Sequence, residues 1–111
     1  MLRNLILSAA GLLIATQSEA TPDQDKLIAR IEATVRLPRG ARPLSTYSRY
    51  YWWGTPGKTV EAIYITAQRA GTRWLRKENP SLRAPDRGCG TIFVRFELRT
   101  GVASAACDGI A

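Results

Sequence analysis

The chain has 111 residues, 45% of them hydrophobic, with 16 Lys and Arg against 9 Asp and Glu, for a formal net charge of +7. It has no histidine and two cysteines, which excludes imidazole-based triads and both histidine and four-cysteine zinc sites. The charge excess favours acidic partners, such as phosphate-bearing envelope lipids, extracellular nucleic acid or an acidic protein, although basic charge also serves plain solubility.

The opening "MLRNLILSAAGLLIATQSEA" predicts an export signal. Arg3 supplies the positive start, Leu5 to Ala15 the short apolar run, and Ser18-Glu19-Ala20 the small-residue cleavage site between Ala20 and Thr21. A membrane anchor needs about 20 apolar residues, and this run is shorter and interrupted, so no transmembrane anchor is expected after cleavage. The remainder, 21–111, reads as a single small α+β domain in the periplasm or secreted. A core this small gains from a covalent staple, and Cys89 and Cys107 suit one in an oxidising compartment. A bridge over this span contributes roughly 3 kcal/mol by loop entropy. Two free thiols, or a bridge between chains, are the rival arrangement.

"TPDQDKLIARIEATVRLP" carries the marks of a helix. Thr21 and Gln24 have capping-box spacing, and Pro22 occupies the first helical position. Asp23 and Asp25 sit at the positive end of the dipole with Arg36 near the other, and Leu27, Ile28, Ile31 and Val35 share a face until Pro38 stops the helix. After a turn-rich connector, strands are expected near 45–53, 59–68, 91–99 and 102–107. The third alternates, with Ile92, Val94, Phe96 and Leu98 on one face and Phe93, Arg95, Glu97 and Arg99 on the other. Residues 70–90 read as loop, with room for a short strand around Arg73 to Lys77. The expected fold is an N-terminal helix packed on a curved antiparallel sheet of about four strands, with one disulfide. A two-residue turn at Thr100-Gly101 would set Cys107 opposite Val94, so a bridge to Cys89 requires "GCG" to curl back or the turn to be longer.

"WWGTPGKT" looks like the tail of a nucleotide-binding P-loop, but Trp52 stands where that motif needs its first glycine, and a strand follows instead of a helix. Thr55-Pro56-Gly57-Lys58 fits a type II turn instead. No nucleotide and no cofactor are expected. A carboxylate pair acting as a minor hydrolase, or a Ser81–Lys77 dyad, is conceivable. Each has a structural reading instead: Asp23 and Asp25 at the helix start, Glu97 paired with neighbouring arginines, Ser81 and Lys77 in a loop. The protein is therefore read as non-catalytic.

"YSRYYWWG" packs five of the nine aromatics into seven positions. Alternation puts Tyr47, Arg49, Tyr51 and Trp53 on one face, and Ser48, Tyr50 and Trp52 on the other. A "GTPG" loop in register sets Tyr51 opposite Val60 and Tyr47 opposite Tyr64. Tyr50 and Trp52, with Ile63, Ile65 and Ala67, form the better core for the helix. The first face then points away, presenting Tyr47, Arg49, Tyr51 and Tyr64, with Phe93, Arg95 and Arg99 extending it if the third strand presents its polar side there. Arginine among aromatics suits stacking on rings and clasping phosphates or carboxylates. The opposing reading has the 70–90 segment, with Trp74 and Leu75, fold over and bury that face, which is the commoner fate of apolar patches on monomers. That segment supplies a second candidate surface, the basic loop of Arg73, Arg76, Lys77, Arg83 and Arg87.

The segments "LSTYSRYYW" and "GCGTIFVRFELRTGVASAACDG" resemble small uncharacterised exported proteins of proteobacteria. The resemblance implies export and paired cysteines and brings no function. In layout the chain is also similar to cystatin-like and lysozyme-inhibitor-like folds, an analogy of architecture alone. The sequence thus suggests an exported module for an anionic envelope or extracellular partner, whose binding weakens with salt and with Arg49→Ser. The alternative is a protein–protein module, such as an inhibitor of an envelope or foreign enzyme, with an acidic protein as target.

Overall fold

A computed structural model describes residues 20–66, 69–83 and 88–108 of the chain. Residues 1–19 of the expected signal segment, Ala67 and Arg87 therefore lie outside the described residues. Among these residues one α-helix, α1 (Pro22–Thr34), is followed by strands β1 (Tyr47–Thr55), β2 (Thr59–Thr66), β3 (Gly71–Trp74), β4 (Gly88–Glu97) and β5 (Val102–Asp108). The strands form one sheet in the order β3-β1-β2-β4-β5. The fold is α+β, but the sheet has five strands, is not strongly curled and is mixed: β3 runs parallel to β1. Four antiparallel strands were expected because β3, at four residues, is too short to show an alternation.

The helix begins as the sequence dictates. The Thr21 side chain accepts from the Gln24 backbone and the Gln24 side chain accepts from the Thr21 backbone, closing the capping box ahead of Pro22. It ends at Thr34, where Val35 turns extended, so Arg36 falls beyond the last turn and no basic residue lies within it.

The β1–β2 hairpin is shifted by two residues from the expected register: Tyr51 faces Ala62 and Tyr47 faces Thr66. The turn itself is as read, closed by Lys58 N–H donating to Thr55 O at 2.8 Å, with Gly57 at φ +74°. The loop closes further along the chain than expected, on the Thr55–Thr59 pair, and Gly54 then forms a bulge, an extra residue between that pair and Trp53–Val60. A Cβ there would lie 2.7 Å from Thr59 Oγ1 and 2.9 Å from Glu61, so only glycine lets the strands close at this point.

The β4–β5 hairpin corrects the other register. Glu97 faces Val102, so the turn spans four residues, and Cys107 faces Ile92, not Val94. The "GCG" segment also bulges, with Gly88 facing Asp108 while Ile92 faces Cys107. Both adjustments together bring Cys89 and Cys107 to 4.5 Å between Cα atoms, and they form a disulfide.

The helix covers the face that the sequence left open. Ile28 and Ile31 pack with Tyr47, Tyr51, Val60, Ala62, Tyr64, Trp74, Ile92, Val94 and Phe96 in the main core. Trp52, Ile63 and Ile65 form a smaller cluster on the opposite face under Leu75 and Leu82. Two relationships decide this. Tyr64 pairs with Ile92, so the unbroken apolar side of β4 joins the tyrosine face and makes it the larger core. The phenol tips then find polar partners, which removes the cost of burying them.

Candidate functional site

Tyr47, Tyr51 and Tyr64, expected on a working surface, are each 0% exposed. Tyr47 accepts from Arg42 N–H at 3.0 Å and donates to Cys89 O at 2.7 Å, tying the connector to the disulfide segment. Tyr51 donates to Glu32 Oε2 on α1 and contacts the Tyr64 hydroxyl, both at 2.7 Å. Trp74 from β3 stacks on Tyr51 and meets Trp53 edge-on, closing the core at that side.

Arg49 belongs to the same arrangement. Its Nε lies 3.0 Å from Glu32 Oε2, with the two side chains 13% and 20% exposed. The approach is an ion pair by distance and is not aligned as a hydrogen bond. A second guanidinium nitrogen donates to Leu44 O at 2.7 Å. Arg49 is thus a clamp between helix, connector and sheet. Burial, with the Glu32 carboxylate beside it, pushes the Tyr51 phenol far up, and burial pushes Tyr64 up to about 12.

The opposite face has open space. A hollow of about 330 Å³ lies over β2, β4 and β5, lined by Trp52, Glu61, Arg83, Phe93, Arg95 and Ser104 among others. Arg83 lies 4.7 Å above the Phe93 ring while its guanidinium pairs with Glu78 at 2.7 Å. Glu61 accepts from Trp52 Nε1 at 3.2 Å, so its carboxylate is drawn away from Arg95, the residue facing it across the sheet. Arg95 is exposed and makes no ion pair among the described residues. A second hollow, of about 690 Å³, continues past Arg95 to Lys58, Glu97 and Arg99 at the hairpin ends.

The candidate residues therefore divide. Arg95 and Arg99 share this open side, while Tyr47, Arg49, Tyr51 and Tyr64 lie beneath the helix. Of the basic loop, Arg73 stands 5.7 Å from the Tyr50 ring and Arg83 reaches the first hollow, whereas Arg76 and Lys77 are simply exposed. Lys58 and Phe93 are the residues to add; the alternation of β4 already put Phe93 beside Arg95. Ser81 donates to Asn79 Oδ1 at 2.6 Å within a short turn at Pro80–Leu82, which commits its hydroxyl locally. Glu97 accepts from Thr100 Oγ1 at 2.9 Å and makes no pair with the arginines beside it. Among the described residues no helix is long and apolar enough to cross a membrane.

No protein-family model matches the chain, and no curated protein or solved structure matches it.

Proposed function

We propose that the protein is an exported, non-catalytic module that holds an anionic partner on the open face of the sheet. The observation that carries this reading is Arg95: an exposed guanidinium, unpaired among the described residues, at the junction of two hollows, flanked by Arg83 on Phe93 and by Lys58 and Arg99. Aromatic floor and cationic walls suit a partner that offers carboxylates or phosphates beside flat or apolar surface. The net charge of +7 draws such a partner in, and the Cys89–Cys107 disulfide suits an oxidising compartment.

The test is a titration of the purified, oxidised protein with phosphatidylglycerol vesicles, single-stranded nucleic acid and polyglutamate, each at low and high salt. At least one should bind, with affinity falling as salt rises and falling again in Arg95→Ser. If none binds, or if binding ignores both salt and Arg95, the proposal fails.

A further inference from the structure

Among the described residues, strand β5 closes the sheet on one side and pairs only with β4. No other backbone hydrogen bond joins it to a described segment. Edge strands are normally shielded by charge, proline, bulges or short length. The other edge, β3, fits that rule: it has four residues and carries Arg73. The outer run of β5, "VASAAC", has no charge and no proline, and its pairing with β4 from Val102 to Cys107 is regular. Val102 is 60% exposed, and Ser104 and Ala106 are exposed beyond it. The side chains are small, so another backbone can approach.

Cations stand on both sides of this edge. On the open face Arg95 lies directly across from Ser104. On the helix face Arg30 lies 5.0 Å above the Phe96 ring and within 3.2 Å of where a Cβ on Gly101 would be; Phe96 faces Ala103. A strand added beside β5 would sit about 10 Å from the β4 backbone, a span that an extended arginine and a carboxylate side chain cover between them. Its alternate side chains would meet Arg95 on one face and Arg30 on the other.

We infer that β5 is a docking edge for an extended acidic polypeptide segment, which adds a sixth strand to the sheet and places its carboxylates against Arg95 and Arg30. This rests on the anionic-partner reading and names the partner as a polypeptide strand, not a lipid or polyphosphate. A second copy of the chain is the poorer occupant, because each copy brings a charge of +7 to the contact.

The experiment compares two fluorescently labelled peptides on the oxidised protein. Both repeat Glu-Glu-Val-Val, so that carboxylates reach both faces of the added strand, and one is N-methylated at consecutive residues, which blocks both of its edges and keeps its charge. The unmodified peptide should bind and slow amide exchange in β5. The methylated one should bind at least about tenfold more weakly, the cost of a few strand hydrogen bonds. Equal affinity for the two, or exchange protection elsewhere than β5, overturns edge docking and leaves the anionic-partner reading standing. So does binding of vesicles or nucleic acid with no binding of the peptides. Concentration-dependent dimerisation through β5 in place of peptide binding also overturns it, in favour of a second copy. If no anion of any kind binds, both readings fall.

Discussion

The Tyr51 hydroxyl donates its proton to Glu32 at 2.7 Å and so must accept the one from Tyr64, also at 2.7 Å. Helix and sheet are thereby joined by a chain of phenols ending on a carboxylate that Arg49 neutralises. Removing a link strands the others in a medium with little water. Tyr51→Phe leaves Tyr64 without its acceptor and Glu32 without its donor, and should cost about 1–3 kcal/mol. Tyr64→Phe removes only the terminal donor and should cost less. Urea denaturation of the two variants checks the order; equal or negligible losses would show that the chain contributes nothing to stability.

The same phenols set an alkaline limit. Tyr64 is raised to about 12 by burial, and Tyr51 higher still by burial and its proximity to Tyr64 and Glu32. The folded state therefore holds these protons more tightly than the unfolded chain, whose tyrosines titrate near 10. Their contribution is complete below pH 10 and is lost as pH rises through 12. Absorbance at 295 nm, followed with circular dichroism, should show Tyr51 and Tyr64 ionising only as the fold is lost. Four ionisations near pH 10 in a folded protein would refute the burial argument.

Much of the fold was legible where the signal is local. The capping box at Thr21 and Gln24, the Pro56-Gly57 turn and the alternation of β4 all stand as read. What failed was non-local. In β1, Tyr47 and Tyr51 on one face balance Tyr50 and Trp52 on the other, so alternation alone leaves the choice of core face open. The choice turns on Tyr64 meeting Ile92 across the sheet, a pairing separated by the whole of β3 and its flanking loops. Partners for the phenols were equally hidden: Glu32 looked like an ordinary helix carboxylate and Cys89 O is a backbone atom. Arg95 survived as a candidate because its alternation with Val94 and Phe96 is a property of β4 alone.

The disulfide ties the bulged start of β4 to the end of β5, across a sequence separation of 18. Half-buried Cys89 also supplies the carbonyl that Tyr47 uses. Replacing both cysteines with serine should lower stability by roughly 3 kcal/mol, with the loss centred on the β4–β5 hairpin. Hydrogen exchange of the β5 amides, with and without a reducing agent, measures this. An unchanged β5 after reduction would mean the hairpin holds without the bridge.

The two arginines Arg49 and Arg95 separate folding from binding. Both were expected on one surface provided β4 turned its polar side there, yet they occupy opposite faces of the sheet, one clamped to Glu32 and the other exposed. Arg49→Ser should cost roughly 2–3 kcal/mol, below the fully buried case because both partners retain some contact with water. At temperatures where that variant is folded, its affinity for an anionic probe should match the parent protein. Arg95→Ser should leave stability within about 0.5 kcal/mol, as surface substitutions do, while weakening binding and reducing its salt dependence. Paired denaturation and titration curves decide it. A loss of binding in folded Arg49→Ser with none in Arg95→Ser would return the site to the tyrosine face beneath the helix.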